Sequence, residues 1–405
     1  MPSAVRRKPQ ESVQMRNYPK FTVTKKAENS VRAGHRWIYG DEVLSVDGAY
    51  LNGSIADVVS ISGKWLGAGF INDHSKIRVR ILSRNPNDRF DEAFWRRRVK
   101  YAVDYRRKVM REDIECCRLI FGEADGIPGL TADRFSDVLV SEVLCLGTEG
   151  VKDVIYDELK KQTGCSVIYE RNDNALRDKE GLERCSGFAS GEGDGHVIIT
   201  ENGLKFDVDY IGGQKTGFFL DQKYNRAAVA RLAHGMRVLD CFTHSGAFAL
   251  NCAAAGAREV TAVDISASAL ETAGRSAALN GIETVRFVQA DVFDFLSAAE
   301  REYDLIILDP PAFTKSSSTV KAASRGYKEI NFKAMKLLHR GGYLATCSCS
   351  HFMTDALFRK VISEAASEAD VSLRQIEVRQ QAPDHPVLWG VPETEYLKFY
   401  IFQTV

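Results

Sequence analysis

From Met236 onward, apolar runs and helical segments alternate, and no other feature limits the possible folds as strongly. MRVLDCF leads into a helix through Ala254, REVTAVDIS into a helix through Asn280, and VRFVQAD into DFLSAAERE; YDLIILDPP leads into a helix through Leu338, and GGYLATCSCS closes the series. Apolar runs of this kind between helices make parallel strands covered on both sides, a doubly wound α/β sheet. Open sheets of this type bind ligands outside the carboxyl ends of their strands, so those ends are the places to look for chemistry.

The first strand ends in DCFTHSGAF, Asp240 to Phe248, with Gly246 at the turn into a helix. Acidic residues close the second and third strands, Asp264 and Asp291. Asp264 stands about where a carboxylate would meet a ribose diol. The fourth strand ends in DPPAF, Asp309 to Phe313, and the fifth carries Cys347 and Cys349. The loop after the first strand lacks the glycine spacing that a dinucleotide pyrophosphate requires of the backbone. It suits the sulfonium amino acid of S-adenosyl-L-methionine better than NAD.

Upstream the composition changes. The chain of 405 residues is long enough for two or three domains. Residues 1 to 111 hold 23 Lys and Arg against 11 Asp and Glu, although the whole chain is neutral, so the N-terminal part is suited to a polyanion. Phe94 to Arg111 concentrates eight of those cations on one helix, Arg96, Arg97 and Arg98 among them. Before it, the short β-rich runs FTVTKK, SIADVVSIS, WLGAGFIN and KIRVRILS predict a small barrel, with a turn at Gly34. After it, a β, β, α, β pattern predicts a small α+β unit, SGEGDG reads as a linker, and Asn202-Gly203 marks a hairpin. Nine cysteines in a chain of this size make no secreted disulfide framework. Nothing resembles a signal peptide or a membrane span, and a cytoplasmic protein is expected.

The runs TGFFLDQKYNR, VLDCFTHSGAFALNCAAAGAREVTAVDIS, YDLIILDPPAFTKS and GYKEINFKAMKLLHRGGYLATCSCSH resemble the bacterial class I S-adenosylmethionine-dependent ribosomal RNA methyltransferases, in particular the 23S rRNA cytosine-5 methyltransferase I family. The resemblance spans nearly the whole chain. It implies a basic tail (1–17), a PUA-like RNA-binding domain (18–90), a middle α+β domain with the basic helix (91–195), and a hairpin plus Rossmann-like methyltransferase domain (196–405). The implied cofactor is S-adenosyl-L-methionine. Asp240, Thr243, Ser245 and Gly246 would hold its methionine end, Asp264 the ribose and Asp291 the adenine amine, while Phe219, Asp221 and Gln222 would close the pocket. Ribosomal RNA, 23S foremost, is the implied partner, gripped by Arg96, Arg97 and Arg98; no metal or membrane is expected, and an oligomer is neither demanded nor excluded.

Cytosine C5 is a poor nucleophile until a thiolate adds at C6, and cysteine both attacks well and leaves tolerably. Cys349, nearer the strand's carboxyl end, is the expected nucleophile, with Cys347 a buried neighbour. Asp309 would bind the exocyclic amine or accept a proton; Pro310 and Pro311 would stiffen the tip and Phe313 would stack on the flipped ring. One departure counts against cytosine: two-cysteine RNA methyltransferases keep a thiol in the loop after the fourth strand, and this loop has none. A D-P-P-aromatic tip also serves enzymes that methylate base nitrogens, for example of guanine, without a covalent step. A non-catalytic RNA-binding or assembly role is the third alternative.

Overall fold

The computed structural model describes residues 17–300, 302–314 and 316–405 and contains four sheets. The expected basic tail therefore lies almost entirely outside the described residues. The first sheet has the order β2-β6-β5-β4-β1-β3, from β1 (Lys20–Val23), β2 (Trp37–Tyr39), β3 (Val43–Asp47), β4 (Ile55–Ser60), β5 (Trp65–Ile71) and β6 (Ile77–Ser83). FTVTKK is not one strand. Thr24 accepts a hydrogen bond from Ala27 N and starts helix α1 (Lys25–Ala33), which Gly34 ends in a left-handed conformation at φ 108°. A threonine hydroxyl placed ahead of good helix formers decides the change of element.

The middle sheet, ordered β11-β10-β9-β8-β7, has more strands than its pattern predicts: β7 (Cys116–Phe121), β8 (Leu130–Phe135), β9 (Val138–Val143), β10 (Val167–Asn172) and β11 (Cys185–Ser190). Ser136, at φ 56°, breaks one apolar run into the β8–β9 hairpin. Helix α2 (Glu92–Met110) packs Phe94, Trp95, Val99 and Val103 into the core beneath this sheet, beside α4 (Lys152–Thr163), which follows the single turn α3 (Leu146–Glu149). One cation of α2 points inward: Arg106, fully buried, donates to Arg118 O, Asp125 and Asp384 O. The solvated cationic face is thus smaller than the charge run suggests.

Hairpin β12 (His196–Glu201) and β13 (Leu204–Asp209) turns at Asn202-Gly203, with φ 52° and 80°. Positive φ at both positions is what a two-residue hairpin turn requires. Ile199, Phe206 and Val208 bury themselves between the middle sheet and the large one.

The large sheet has the order β16-β15-β14-β17-β18-β20-β19, built from β14 (Arg237–Cys241), β15 (Glu259–Asp264), β16 (Val285–Gln289), β17 (Tyr303–Leu308), β18 (Leu338–Ser348), β19 (Leu373–Arg379) and β20 (Lys398–Thr404). The first five are parallel; β20 pairs antiparallel to both β18 and β19, an addition outside the expected alternation. Helices α5 (Lys223–Ala230) and α6 (Ala247–Ala254) supply apolar side chains to one core cluster; α8 (Val292–Ala298), α9 (Val320–Leu337) and α10 (Asp355–Ala369) supply the other, and α7 (Ala267–Leu279) packs on β13. The strand order reverses between β14 and β17, which opens a crevice at their carboxyl ends. Among the described residues no helix is long and apolar enough to cross a membrane.

A buried ion pair locks the middle sheet. Arg118 donates two hydrogen bonds to Asp133, at 2.7 and 2.8 Å, and Thr216 donates a third at 2.6 Å. In Asp133→Ala the guanidinium loses its counter-charge inside the protein, so the unfolding free energy should fall by about 3–5 kcal/mol. The check is a lowered urea midpoint.

Candidate active site

The crevice is a cavity of about 360 Å³ whose wall is assembled from successive strand ends. Phe242 to Ser245 follow β14, Asp264 closes β15, Asp291 follows β16, Asp309 to Pro311 and Phe313 follow β17, and Cys349 follows β18. Phe219, Asp221, Gln222 and Arg226 cover it from the segment before β14. Nearly all the residues expected from the sequence therefore meet in one place, with three exceptions.

Asp240 and Gly246 stand behind the wall. Asp240 is fully buried, its Oδ2 accepting from the Thr243 hydroxyl and from Ala249 N, so it holds the loop that forms the wall. Gly246 has φ 73°, and a Cβ there would lie 2.9 Å from Ala273 Cβ; only glycine lets α6 start this close to α7. The third exception is the Arg96 to Arg98 run, none of which reaches the cavity. Arg96 lies among Glu92, Asp157 and Glu158, Arg97 faces Asp88, and Arg98 sits over the Phe94 ring and donates to Leu82 O.

Asp264 accepts from His244 N and Ser266 N, both at 2.9 Å, which fixes the carboxylate at the strand end. Asp291 caps α8 by accepting from Phe293 N and Asp294 N. Phe242 and His244 both adopt positive φ, 61° and 50°, conformations costly for residues with side chains and concentrated at ligand sites. No local sequence signal announces that strain; His244 belongs to the Thr243 to Gly246 turn expected at the methionine end, whereas Phe242 was not expected in the wall. Arg226 and Lys215 were likewise missed, since what places them is tertiary.

Burial pushes the Asp309 carboxyl up to about 6, against hydrogen bonds from Cys347 Sγ at 2.9 Å and Gln222 Nε2 at 3.1 Å. Burial likewise pushes Asp240 up to about 7. It would raise Asp221 too, but the charges of His385 and Lys215 and the hydroxyl of Tyr396, at 2.6 Å, hold that carboxyl below the usual range. Cys347 is fully buried, whereas Cys349 is only partly buried and lines the cavity, and burial pushes its thiol up to about 11.

Asp221 Oδ1, Asp240 Oδ1 and His244 Nδ1 are buried without a hydrogen-bond partner. The unpaired Asp221 oxygen, with Asp264 and Asp291 at neighbouring strand ends and Phe219 and Phe293 in the wall, fits an organic cation that carries ammonium, hydroxyl and aromatic amine donors. S-adenosyl-L-methionine is such a cation. Among the described residues no cluster of three or more His, Cys, Asp or Glu could hold a metal ion.

Residues 166–402 match the S-adenosylmethionine-dependent methyltransferase family, and residues 21–84 match the PUA-like domain. The chain is 42% identical over 379 residues to Ribosomal RNA large subunit methyltransferase I of Shewanella denitrificans, covering 92% of this chain and 96% of that one. It is 40% identical over 388 residues to the protein of the same name from Klebsiella pneumoniae, covering 94% and 97%. Its fold matches a Streptococcus mutans protein assigned to the SAM-dependent methyltransferases, with a TM-score of 0.80, 22% identity and coverage of 95% and 99%. A second solved methyltransferase-like structure, complexed with SAH, matches with a TM-score of 0.82 at 21% identity, again covering 95% and 99%. The chain belongs to the S-adenosylmethionine-dependent methyltransferases, in the family that includes ribosomal RNA large subunit methyltransferase I.

Proposed function

We propose that this protein methylates carbon 5 of a cytosine in 23S ribosomal RNA through a transient bond between Cys349 Sγ and C6 of a flipped base. The observation that carries this reading is the Cys349 thiol in the same cavity wall as Asp309, the Pro310-Pro311 tip and the cofactor-facing carboxylates. The names of the relatives support ribosomal RNA as substrate, and the PUA-like sheet with the exposed face of α2 supports RNA binding.

S-adenosyl-L-methionine supplies an electrophilic methyl group on a sulfonium centre. The thiolate of Cys349 adds its electron pair to C6, and the C5=C6 electrons become an enamine that takes the methyl at C5. Asp309 then accepts the C5 proton, the C6–S bond breaks, and its electron pair returns to Cys349. A carboxyl near 6 is ionised at neutral pH yet more basic than an ordinary aspartate, which suits proton acceptance. Phe313 packs against Tyr327, with ring centroids 4.7 Å apart, so it offers a fixed aromatic wall for a flipped ring. The buried thiol of Cys347 stays protonated and donates to Asp309.

A second reading has its own observation. The Cys349 thiol is pushed far above neutrality, as a merely structural cysteine would be, and the Asp-Pro-Pro-Ala-Phe tip could then present a base nitrogen instead.

Two experiments follow. Incubated with the methyl donor and ribosomal RNA containing 5-fluorocytosine, the protein should form a denaturation-resistant adduct that maps to Cys349, because fluorine at C5 cannot leave as a proton. Cys349→Ser should form none while still binding the donor; methyl transfer to ordinary RNA without any adduct selects the nitrogen reading. The second is a single-turnover pH profile. Asp309 must be ionised to act, so the slope of log rate against pH should steepen by one unit below about pH 6. Asp309→Asn should lose that break and about 10²–10⁴-fold in rate.

A further inference from the structure

A bulge in the first sheet leaves one carbonyl out of the ladder. Strand β5 pairs Ala68 with Ser83 and Gly69 with Ile81, so Leu82 has no residue opposite it. Two guanidiniums share the freed oxygen: Arg36, just before β2, donates from Nη1 to Leu82 O at 3.5 Å, and Arg98, on α2, donates from Nη2 at 3.4 Å. Arg84 stands two residues past Leu82, exposed, where β6 has just ended. A guanidinium has five N–H groups, and both bonds are long, so most of that capacity is unspent; Arg36 Nε is buried without any partner. Among the described residues Arg36, Arg84 and Arg98 form no ion pair. The two carboxylates whose charge reaches Arg36 and Arg98 are engaged elsewhere: Glu123 accepts from Arg80 Nη1 and Trp37 Nε1, both at 2.8 Å, and Asp88 accepts from Ser83 Oγ at 2.5 Å and faces Arg97 at 3.5 Å. Arg98 is also fixed in place, 4.9 Å over the Phe94 ring and so close to the Gly126 turn that a Cβ there would lie 3.1 Å from Nη1.

We infer that Arg36 and Arg98, with Arg84 at the rim, form a site for one phosphodiester of the RNA backbone, an inference that rests on RNA being the substrate. Two like charges gathered on one carbonyl repel each other, and the arrangement lacks its own anion. Burial, then the charges of Arg98 and Arg84, lower the Arg36 guanidinium from its usual range, as expected of a cation held beside others. A phosphate between the two removes that repulsion and takes the bonds they now make poorly, because guanidinium forks match phosphate oxygens in pairs. Of the Arg96 to Arg98 run only Arg98 is free for this, since Arg96 and Arg97 face Glu92, Asp157, Glu158 and Asp88. The group also bridges two units, Arg36 and Arg84 from the first sheet and Arg98 from α2, so a polyanionic strand lying across that seam meets all three. His35, the neighbour of Arg36, lies 3.4 Å from Glu393 on the segment that brings Leu397 to the cavity wall, which gives a strand held here a fixed setting relative to the crevice.

The test is binding of an unmodified 23S ribosomal RNA transcript over a salt series. Arg36→Gln and Arg98→Gln keep an N–H for Leu82 O but lose the charge. Each should weaken binding about tenfold, with methyl-donor binding retained. The double variant should flatten the slope of log K against log salt by about one, the mark of a single phosphate. Removing one of two like charges should not lower the urea midpoint, which separates lost binding from lost folding. Lys360→Ala, a cation removed from α10, should change neither affinity nor slope. Unchanged affinity and slope in the folded double variant overturn the inference and leave the RNA reading standing. Should the variants not fold, phenylglyoxal modification of the wild-type protein is mapped by mass spectrometry. The transcript must shield Arg36 and Arg98; no shielding, or shielding by inorganic phosphate but not by RNA, overturns the inference equally. A wild-type protein that does not bind the transcript overturns the RNA reading and this inference with it, whereas shielding in a protein that forms no fluorocytosine adduct sinks the cysteine mechanism alone.

Discussion

One buried guanidinium holds the active-site wall to the rest of the molecule. Arg226 donates to both oxygens of Glu201, at 2.6 and 2.8 Å, and to Phe219 O at 2.8 Å, with its plane near the rings of Phe218 and Phe248. The hairpin, the segment that covers the cavity, and helices α5 and α6 are thereby referred to a single cation. Removing either partner would strand the other's charge inside the protein, so the hairpin is bound to the catalytic sheet far more firmly than its two strands alone could manage. Glu201 pairs with Arg226, and the cavity wall carries four further carboxyl groups, Asp221, Asp264, Asp291 and Asp309. Burial, together with neighbouring carboxyls, lifts Asp240 and Asp309 toward neutrality, and the group suits a cationic cofactor.

The middle sheet takes part in shaping the site through a chain of polar contacts. Arg106 on α2 holds Asp384 O, and Arg118 N on β7 donates to Asp384 Oδ2. Farther along the same segment, Ala382 N donates to Asp221 O and the Tyr396 hydroxyl donates to Asp221 Oδ2. The stretch between β19 and β20 is therefore clamped by the middle sheet on one side, and on the other it holds Asp221 and brings Leu397 to the cavity wall. Its far end also meets the first sheet, where Glu393 lies 3.4 Å from His35. An RNA held on the PUA-like sheet would find the catalytic crevice at a fixed distance, because these contacts leave little freedom for the segment between them.

Much of this was legible in the sequence wherever a local rule sufficed. Five apolar runs between helices specify a parallel sheet, and acidic residues at the strand ends specify where a cationic ligand belongs; Asn202-Gly203 specifies a turn that needs two positive φ values. The errors arose where one side chain overrides a pattern. Thr24 starts a helix inside an apparent strand, Ser136 folds one apolar run into two strands, and β11, largely exposed, exists only because β10 offers it a partner.

The sequence by itself determined the class of the fold, the cofactor chemistry and the strand ends that carry it, because periodicity and strand-end chemistry are properties of short stretches. Only the tertiary structure decided the rest. It turned Arg106 inward, set Asp240 behind the wall, separated the accessible Cys349 from the buried Cys347, and brought Arg36 and Arg98, from different units, onto the one carbonyl of Leu82. Charge and exposure depend on what neighbouring elements exclude from water, and no stretch of sequence carries that information before the chain has packed.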